Sequence, residues 1–461
     1  MYFIDTNSKI PLHIQLYEAL KKDIISNYNI NEKLPSIRKI ANIYNLSKNT
    51  VENAFSQLIV EGYIDSYPKS GYFVTDTNYD NFSINQKEMK KEIYIPKDEE
   101  ILYDFFPARL QKENFPLKLW KRLFTKVINE SIDFGNYSHK QGEENLRVQI
   151  ANYLNKSRAV KCTAQQIIIG SGFTDSVGMI ALILNKTHKS LAIEDPGYHV
   201  ARKIFESHNY KIKKIDLNKD GIILDQLKES KSKLVYITPS HQYPTGVVMP
   251  ISNRLKLLQW AKEEDAYIIE DDYDSELNYE NRPIPSLQGL DNNHRVIYVG
   301  TFSKALSPAI RVSYMVLPNS LLEIYNKRFL YHSSKVCLMT QKTLEKFMED
   351  EYWDRHLRKI RMLNKKKHNL MKKYLEEKLG TTFKIITQGG GLAILINPTG
   401  PFDWEKLETL AKRQKLKLYY AKERSGDEWQ ALMMGFGGLK EEEIEKAINA
   451  FSIIWHKCLK N

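Results

Sequence analysis

Apolar residues recur at three- and four-residue spacing at the start of the chain. Ile14, Tyr17, Leu20 and Ile24 line one side of a helix predicted over Pro11 to Asn27. A second short helix is predicted after Pro35, with Ile37, Ile40, Ala41 and Tyr44 on one side and a tight break at Asn45-Leu46. Ser47 is a good N-cap for a third helix, whose apolar stripe is Val51, Ala54, Phe55, Leu58 and Ile59 and whose end is Gly62. Residues 63–67 and 72–75 then read as two strands joined by Pro68-Lys-Ser-Gly71. Residues 77–99 are polar, charged and without periodicity, and are expected to be a linker. From Tyr137 onward the pattern changes. Short apolar runs at 166–169, 190–194, 234–238, 266–270 and 296–299 alternate with helix-length segments.

Three helices and a hairpin predict a winged helix-turn-helix over residues 1–76. The alternating runs predict an α/β domain over residues 100–461, built on a mainly parallel sheet buried on both faces, with a smaller α+β part from about residue 331.

Charge adds a weak pointer. The net charge of +12 suits an acidic partner such as DNA, but a lysine-rich, AT-biased proteome gives the same value. No run reaches the ~18 apolar residues of a membrane span, and the first residues lack the form of a signal peptide. Cys162, Cys337 and Cys458 are scattered, which suits a reducing cytoplasm and gives no metal-ligand spacing.

Ligands on such sheets bind beyond the carboxyl ends of the strands, and that is where the unusual residues fall. The first run leads into Gly170-Ser-Gly-Phe-Thr-Asp-Ser176, a small-residue turn that can aim N–H groups at a phosphate. The second leads into Asp195-Pro-Gly-Tyr198, the third into Pro239-Ser-His-Gln-Tyr-Pro-Thr-Gly246, and the fourth into Asp271-Asp-Tyr-Asp274. The fifth leads into Gly300-Thr-Phe-Ser-Lys304, with Arg311 seven residues later. A lysine there could bond a carbonyl cofactor while the hydroxyls and the arginine hold a phosphate; pyridoxal phosphate carries both groups. In the first domain Lys48, Asn49, Thr50 and Asn53 point outward at the start of the third helix, where base edges are read. Arg38, Lys39, Lys69 and Ser70 are placed for phosphates.

Leu34-Pro-Ser-Ile-Arg38, Ser47-Lys-Asn-Thr-Val51, Leu58-x-x-x-Gly62 and the glycine-tipped wing resemble the GntR family of DNA-binding regulators. Carried over from that family, Arg38, Ser47, Lys48 and Thr50 would touch DNA, with Gly71 in the wing. Many relatives have arginine where this chain has Lys48, and lysine lacks the bidentate fork that reads guanine.

Residues 100–461 resemble the fold-type I pyridoxal-phosphate enzymes of the aspartate aminotransferase superfamily. The resemblance implies that Lys304 bonds the cofactor, Asp271 pairs with its ring nitrogen, Tyr273 meets its ring hydroxyl and Tyr198 stacks on its face. Ser171, Gly172, Thr301, Ser303 and Arg311 would hold the phosphate, and Tyr137 would reach the neighbouring subunit of a homodimer. The two halves together resemble the MocR subfamily of GntR-type transcription regulators, with Met434-Gly-Phe-Gly-Gly438 similar to the PdxR-like subgroup.

Three positions depart from the enzymes. The arginine that clamps a substrate carboxylate is Met433, the asparagine near the ring hydroxyl is Tyr243, and Phe106-Pro-Ala-Arg109 stands where many relatives have a glycine. Arg109 either replaces the lost charge or is a surface residue. The expectation is a cytoplasmic, dimeric, DNA-binding regulator that senses pyridoxal phosphate and controls vitamin B6 synthesis genes. The alternatives are sensing of an amino acid or amine at the cofactor, and a bifunctional aminotransferase.

Overall fold

The computed structural model describes residues 2–6, 8, 10–76, 100–130, 132, 135–279, 285–387, 389–422 and 430–460. The expected linker, 77–99, lies outside the described residues. The chain divides into two compact units, Met1–Lys97 and Asp98–Asn461.

In the first unit α1 (Leu12–Asn27), α2 (Ile37–Tyr44) and α3 (Lys48–Val60) precede a hairpin of β1 (Ile64–Tyr67) and β2 (Gly71–Val74). Each start and stop has a local cause. The Ser36 hydroxyl accepts from the Lys39 N–H at the start of α2, and Asn45, left-handed at φ 49°, ends it. Ser47 accepts from the Thr50 N–H to open α3. Leu16, Leu20, Val51, Ala54 and Leu58 are fully or almost fully buried between the helices. The predicted stripe of α3 is one residue too long, because Ile59 is 36% exposed.

The second unit begins with β3 (Tyr103–Asp104), α4 (Leu117–Ile128) and α5 (Glu144–Arg158). Next come β4 (Ile167–Gly170), α6 (Phe173–Leu184), β5 (Ser190–Asp195), α7 (His199–Ser207), β6 (Lys211–Asn218), β7 (Gly221–Ile222) and α8 (Leu224–Glu229). They are followed by β8 (Leu234–Ile237), α9 (Ile251–Glu263), β9 (Tyr267–Asp272), α10 (Leu287–Leu290), β10 (Val296–Thr301), β11 (Ser313–Val316), α11 (Asn319–Arg328) and α12 (Leu338–Glu349). The long α13 (Tyr352–Leu379) leads to β12 (Phe383–Ile385), β13 (Ala393–Pro398), α14 (Trp404–Arg413), β14 (Leu416–Lys417), β15 (Tyr420–Lys422), β16 (Gln430–Gly435) and α15 (Glu441–His456).

The main sheet has eight strands in the order β4-β11-β10-β9-β8-β5-β6-β7. Strands β10, β9, β8, β5 and β6 are parallel neighbours, while β11 runs antiparallel between β10 and β4. Strands β4 and β8 are buried along their whole length and β10 at all but its last residue, which matches their apolar runs. All five predicted strands exist. Three strands of the sheet were not predicted: β11 is only four residues long, β7 only two, and β6 mixes lysines with apolar residues.

The C-terminal part is a four-stranded antiparallel sheet, β12-β13-β16-β15. Its core joins Ile394, Ile396, Leu432 and Met434 to Met371 and Leu375 of α13 and to Ile448 and Trp455 of α15. The first residues of the unit dock here. Strand β3 pairs with β14, and the Gly435 N–H donates to the Phe105 carbonyl at 3.1 Å. No described helix is long and apolar enough to cross a membrane.

Candidate functional site

The carboxyl ends of β8, β9 and β10 converge with the start of α6 on a cavity of about 220 Å³. Asp271, Tyr273, Thr301, Ser303, Lys304 and Arg311 all line it, as does Tyr198. Seven residues from three separate stretches of the chain, at 198, 271–273 and 301–311, therefore reach one space.

Asp271 lies at the cavity wall, only 3% exposed, and accepts a hydrogen bond from the Tyr236 hydroxyl. Burial pushes its carboxyl up to about 7, with the neighbouring Asp272 and Asp274 adding to the rise and the Tyr236 hydroxyl and Lys304 only partly offsetting it. Lys304 lies nearby, its Nζ 5.9 Å from the centre of the Tyr273 ring. Burial pulls its ammonium down, opposed by Asp274 and Asp271. The pocket thus holds a carboxylate whose ionised form needs a cation and a lysine that gives up its proton more readily than an exposed one.

At the other end the Thr301 hydroxyl lies 3.0 Å from the Ser303 hydroxyl and accepts from the Ser303 N–H at 3.2 Å. Arg311, left-handed at φ 51°, donates to the Ser171 carbonyl at 3.1 Å. Gly172 opens α6 at φ 88°, and a Cβ there would lie 2.0 Å from Arg311 Nη2. The turn is glycine because the guanidinium occupies the place of a side chain.

Ser171 and Gly172 frame Arg311 without lining the cavity; the adjacent Phe173 and Thr174 line it instead. Thr238, at the end of β8, was also not singled out from the sequence, although the same strand-end rule would have found it. Its hydroxyl and N–H both bond the buried Glu194 carboxylate. Tyr137 is outside the cavity and 92% exposed.

A second cavity of about 300 Å³ adjoins the first, sharing Tyr198, Tyr243, Tyr273 and Lys304. Met433 lies on its wall, 7% exposed and packed with Leu395, Ala421 and Ala431. The Tyr243 hydroxyl is 3.5 Å from its sulfur. Arg109 does not supply the missing cation: its guanidinium pairs with Asp104 at 2.7 Å, and its side chain is 55% exposed. The surface alternative for Arg109 therefore holds.

The residues fit pyridoxal phosphate by their chemistry. Asp271 would hold a protonated ring nitrogen, Lys304 would bond the aldehyde carbon, and Thr301, Ser303 and Arg311 would hold the phosphate. The group when bound supplies an electrophilic carbon and an electron sink.

In the first unit Arg38, Ser47 and Lys48 are exposed and Thr50 is half-buried. Ser47 and Thr50 are occupied with each other, hydroxyl to hydroxyl at 2.8 Å, and Lys48 pairs with Glu52 at 3.1 Å. Arg38 has no such partner in the hydrogen-bond and ion-pair network of the described residues. Gly71 takes φ 115° at the wing.

Comparison with known proteins follows this division. Residues 12–74 match the bacterial regulatory proteins of the gntR family, and residues 108–450 match aminotransferase class I and II. HTH-type transcriptional regulator YdeL of Bacillus subtilis is 35% identical over 98% of both chains. The probable rhizopine catabolism regulatory protein MocR of Rhizobium meliloti is 29% identical over 98% of this chain and 95% of its own. The chain belongs to the MocR-type transcription regulators. A MocR-type regulator joins both modules in this order, which accounts for a helix-turn-helix ahead of an aminotransferase fold. The kynurenine aminotransferase of Pyrococcus horikoshii shares that fold, with a TM-score of 0.71 at 22% identity over 83% of this chain and 99% of its own. The pyridoxine biosynthesis regulator PdxR of Corynebacterium glutamicum is 26% identical over 79% of this chain and 78% of its own.

Proposed function

We infer that this MocR-type regulator holds pyridoxal phosphate on Lys304 and reads the cofactor itself as its signal, adjusting operator binding to control vitamin B6 synthesis genes in the cytoplasm. The observation that carries this is Met433. The wall that would meet an α-carboxylate is a buried thioether among apolar side chains, and an unpaired carboxylate there would lose its water for nothing. The relative named as a pyridoxine biosynthesis regulator supports the same target genes.

Arg38, Ser47, Lys48, Thr50 and the Gly71 wing form the operator-binding surface in this reading, with Arg38 the freest of them to take a phosphate. The exposed Tyr137 suits a homodimer in which each subunit completes its neighbour's phosphate site. The residues of 77–99 link the two modules.

The test is binding of the full chain to DNA from its own upstream region and from vitamin-synthesis promoters, titrated with pyridoxal phosphate. A tenfold or larger change in affinity is expected, a coupling of roughly 1.4 kcal/mol. The complete Lys304, Asp271 and Arg311 set also favours a second reading, a bifunctional aminotransferase. Sustained turnover with an amino donor and a keto acid would establish it.

A further inference from the structure

The turn that carries Lys304 is held from behind by a helix that reaches neither cavity. Residues 303–306 turn after β10, and the Leu306 and Ser307 N–H groups both donate to the Phe302 carbonyl, at 2.8 and 3.2 Å. The next carbonyl after the lysine, that of Ala305, is bonded from α13: His356 Nε2 lies 2.8 Å from it. A carbonyl only accepts, so Nε2 carries the proton and the ring is the donor. Burial lowers the pKa of the imidazole, which keeps it a neutral donor. The Trp353 ring, one turn earlier on α13, stacks with that of His356 and packs edge-on against Phe302, with centroids 5.1 Å apart. Phe302 and Ala305 bracket Lys304, and both are buried in one cluster with Trp353.

The same helix then touches two other parts of the unit. Arg361 Nε donates at 2.9 Å to the Glu276 carbonyl, in the turn that follows Asp271 to Asp274. Lys367 donates to Gln111 at 2.7 Å and to the Gly437 carbonyl at 3.2 Å. From His356 to Lys367 is roughly 16 Å of one continuous helix at the usual rise per residue. One element therefore grips the lysine's turn at one point and the first residues after 77–99 at another.

We propose that His356 is a positioning residue for Lys304: its bond to the Ala305 carbonyl sets where Nζ stands to capture the cofactor, and α13 carries displacements of that turn to the segment around Gln111. The inference rests on the cofactor being held at Lys304 and names the element that would relay its occupancy. In the capture a bond forms from Nζ to the aldehyde carbon, and the carbonyl oxygen leaves as water with the two protons of the neutral amine. Nothing is oxidised or reduced. The rate of such a step depends on how Nζ faces the carbon, and a misplacement of about 1 Å can cost roughly 100-fold. The phosphate and ring contacts come from other stretches of chain and do not depend on the imidazole.

The test mixes the full chain, freed of cofactor, with increasing pyridoxal phosphate and follows the absorbance of lysine-bound cofactor in time. The half-saturating concentration reports the ring and phosphate contacts, and the limiting rate reports the placement of Lys304. His356→Phe keeps a ring against Trp353 but loses the donor. It is expected to lower the limiting rate roughly tenfold or more and to leave the half-saturating concentration within about twofold. His356→Gln can still donate to Ala305 and should recover most of the rate; His356→Leu should repeat the loss and serves if the phenylalanine variant does not fold. An undiminished rate in a folded variant without the donor would overturn the positioning role, as would a glutamine variant equally slow. The relay is read as the shift in operator affinity at saturating cofactor. That shift should shrink by about threefold or more in His356→Phe and in Lys367→Met, and the double variant should lose no more than the worse single one. A full shift in both single variants would remove α13 from the relay while leaving the cofactor as the signal. A natural chain that loads cofactor with no shift at all would overturn the relay and the cofactor signal together, and the limiting rates would still decide the positioning role.

Discussion

The hydroxyl of Tyr243 lies 3.5 Å from the sulfur of Met433, so the two positions at which this chain departs most from amino-acid enzymes touch each other. They form one apolar wall, and a change at either is felt by both. Replacing Met433 by arginine puts a cation into that wall with no anion to meet it. Met433→Arg is expected to destabilise the second unit by about 3–5 kcal/mol, the usual consequence of an uncompensated buried charge. Phenylalanine should recover part of that loss; thermal unfolding with and without it is the measurement.

Asp271 carries a pH prediction. Its folded pKa of about 7 is above the ordinary 3.8, so the folded chain without cofactor binds more protons than the unfolded chain between these values. That contribution to stability falls as pH rises through this window and is fully lost above it. A protonated ring nitrogen beside the carboxylate reverses the penalty. The stabilisation by pyridoxal phosphate is therefore expected to be larger near about pH 8 than near about pH 5.5, and Asp271→Asn should flatten the difference. Melting temperatures at the two pH values, with and without cofactor, decide it.

Much of this site was legible because each strand end contributes a short, distinctive run. Lys304, Asp271, Tyr198 and Arg311 sit where the rule of strand carboxyl ends puts them. What escaped is non-local. The partner of Tyr243 lies in β16, 190 residues away, and the pairing of His241 with Asp274 joins two separate loops. Strand β11 was missed because four residues between Arg311 and Leu317 carry too little pattern, although its insertion beside β10 positions the turn that holds Arg311. The pairing of Arg109 with Asp104 also depends on a local fold that neither residue announces.

Lys367 fastens the first residues of the second unit. It is fully buried, and its ammonium donates to Gln111 at 2.7 Å and to the Gly437 carbonyl at 3.2 Å. Phe106 and Pro107, a few residues earlier, wall the larger cavity, so this contact holds the segment that follows residues 77–99 against the ligand sites. Lys367→Met leaves two acceptors unsatisfied and should cost about 1–3 kcal/mol. Burial lowers its pKa to about 8 from the ordinary 10.5, so the unfolded chain binds more protons between these values and stability gains with rising pH there. That gain should be absent from the variant, as denaturant titration across the window will show.

Arg38 separates the two modules experimentally. It is exposed on α2 and lines neither cavity, and on the proposed operator-binding surface Arg38→Ala would remove a phosphate contact. Operator affinity should fall roughly tenfold, with a shallower salt dependence by about one counterion, while cofactor absorbance is unchanged. Equal operator affinity in the two proteins would exclude Arg38 from the interface.

The central claim is that Lys304 converts cofactor occupancy into a change in DNA binding. The most direct measurement is operator affinity of the natural chain and of Lys304→Ala, each titrated with pyridoxal phosphate and followed by absorbance. The natural chain should gain the spectrum of lysine-bound cofactor together with a shift in affinity, and Lys304→Ala should fold, bind operator and show neither response. An identical shift in both proteins would contradict the account.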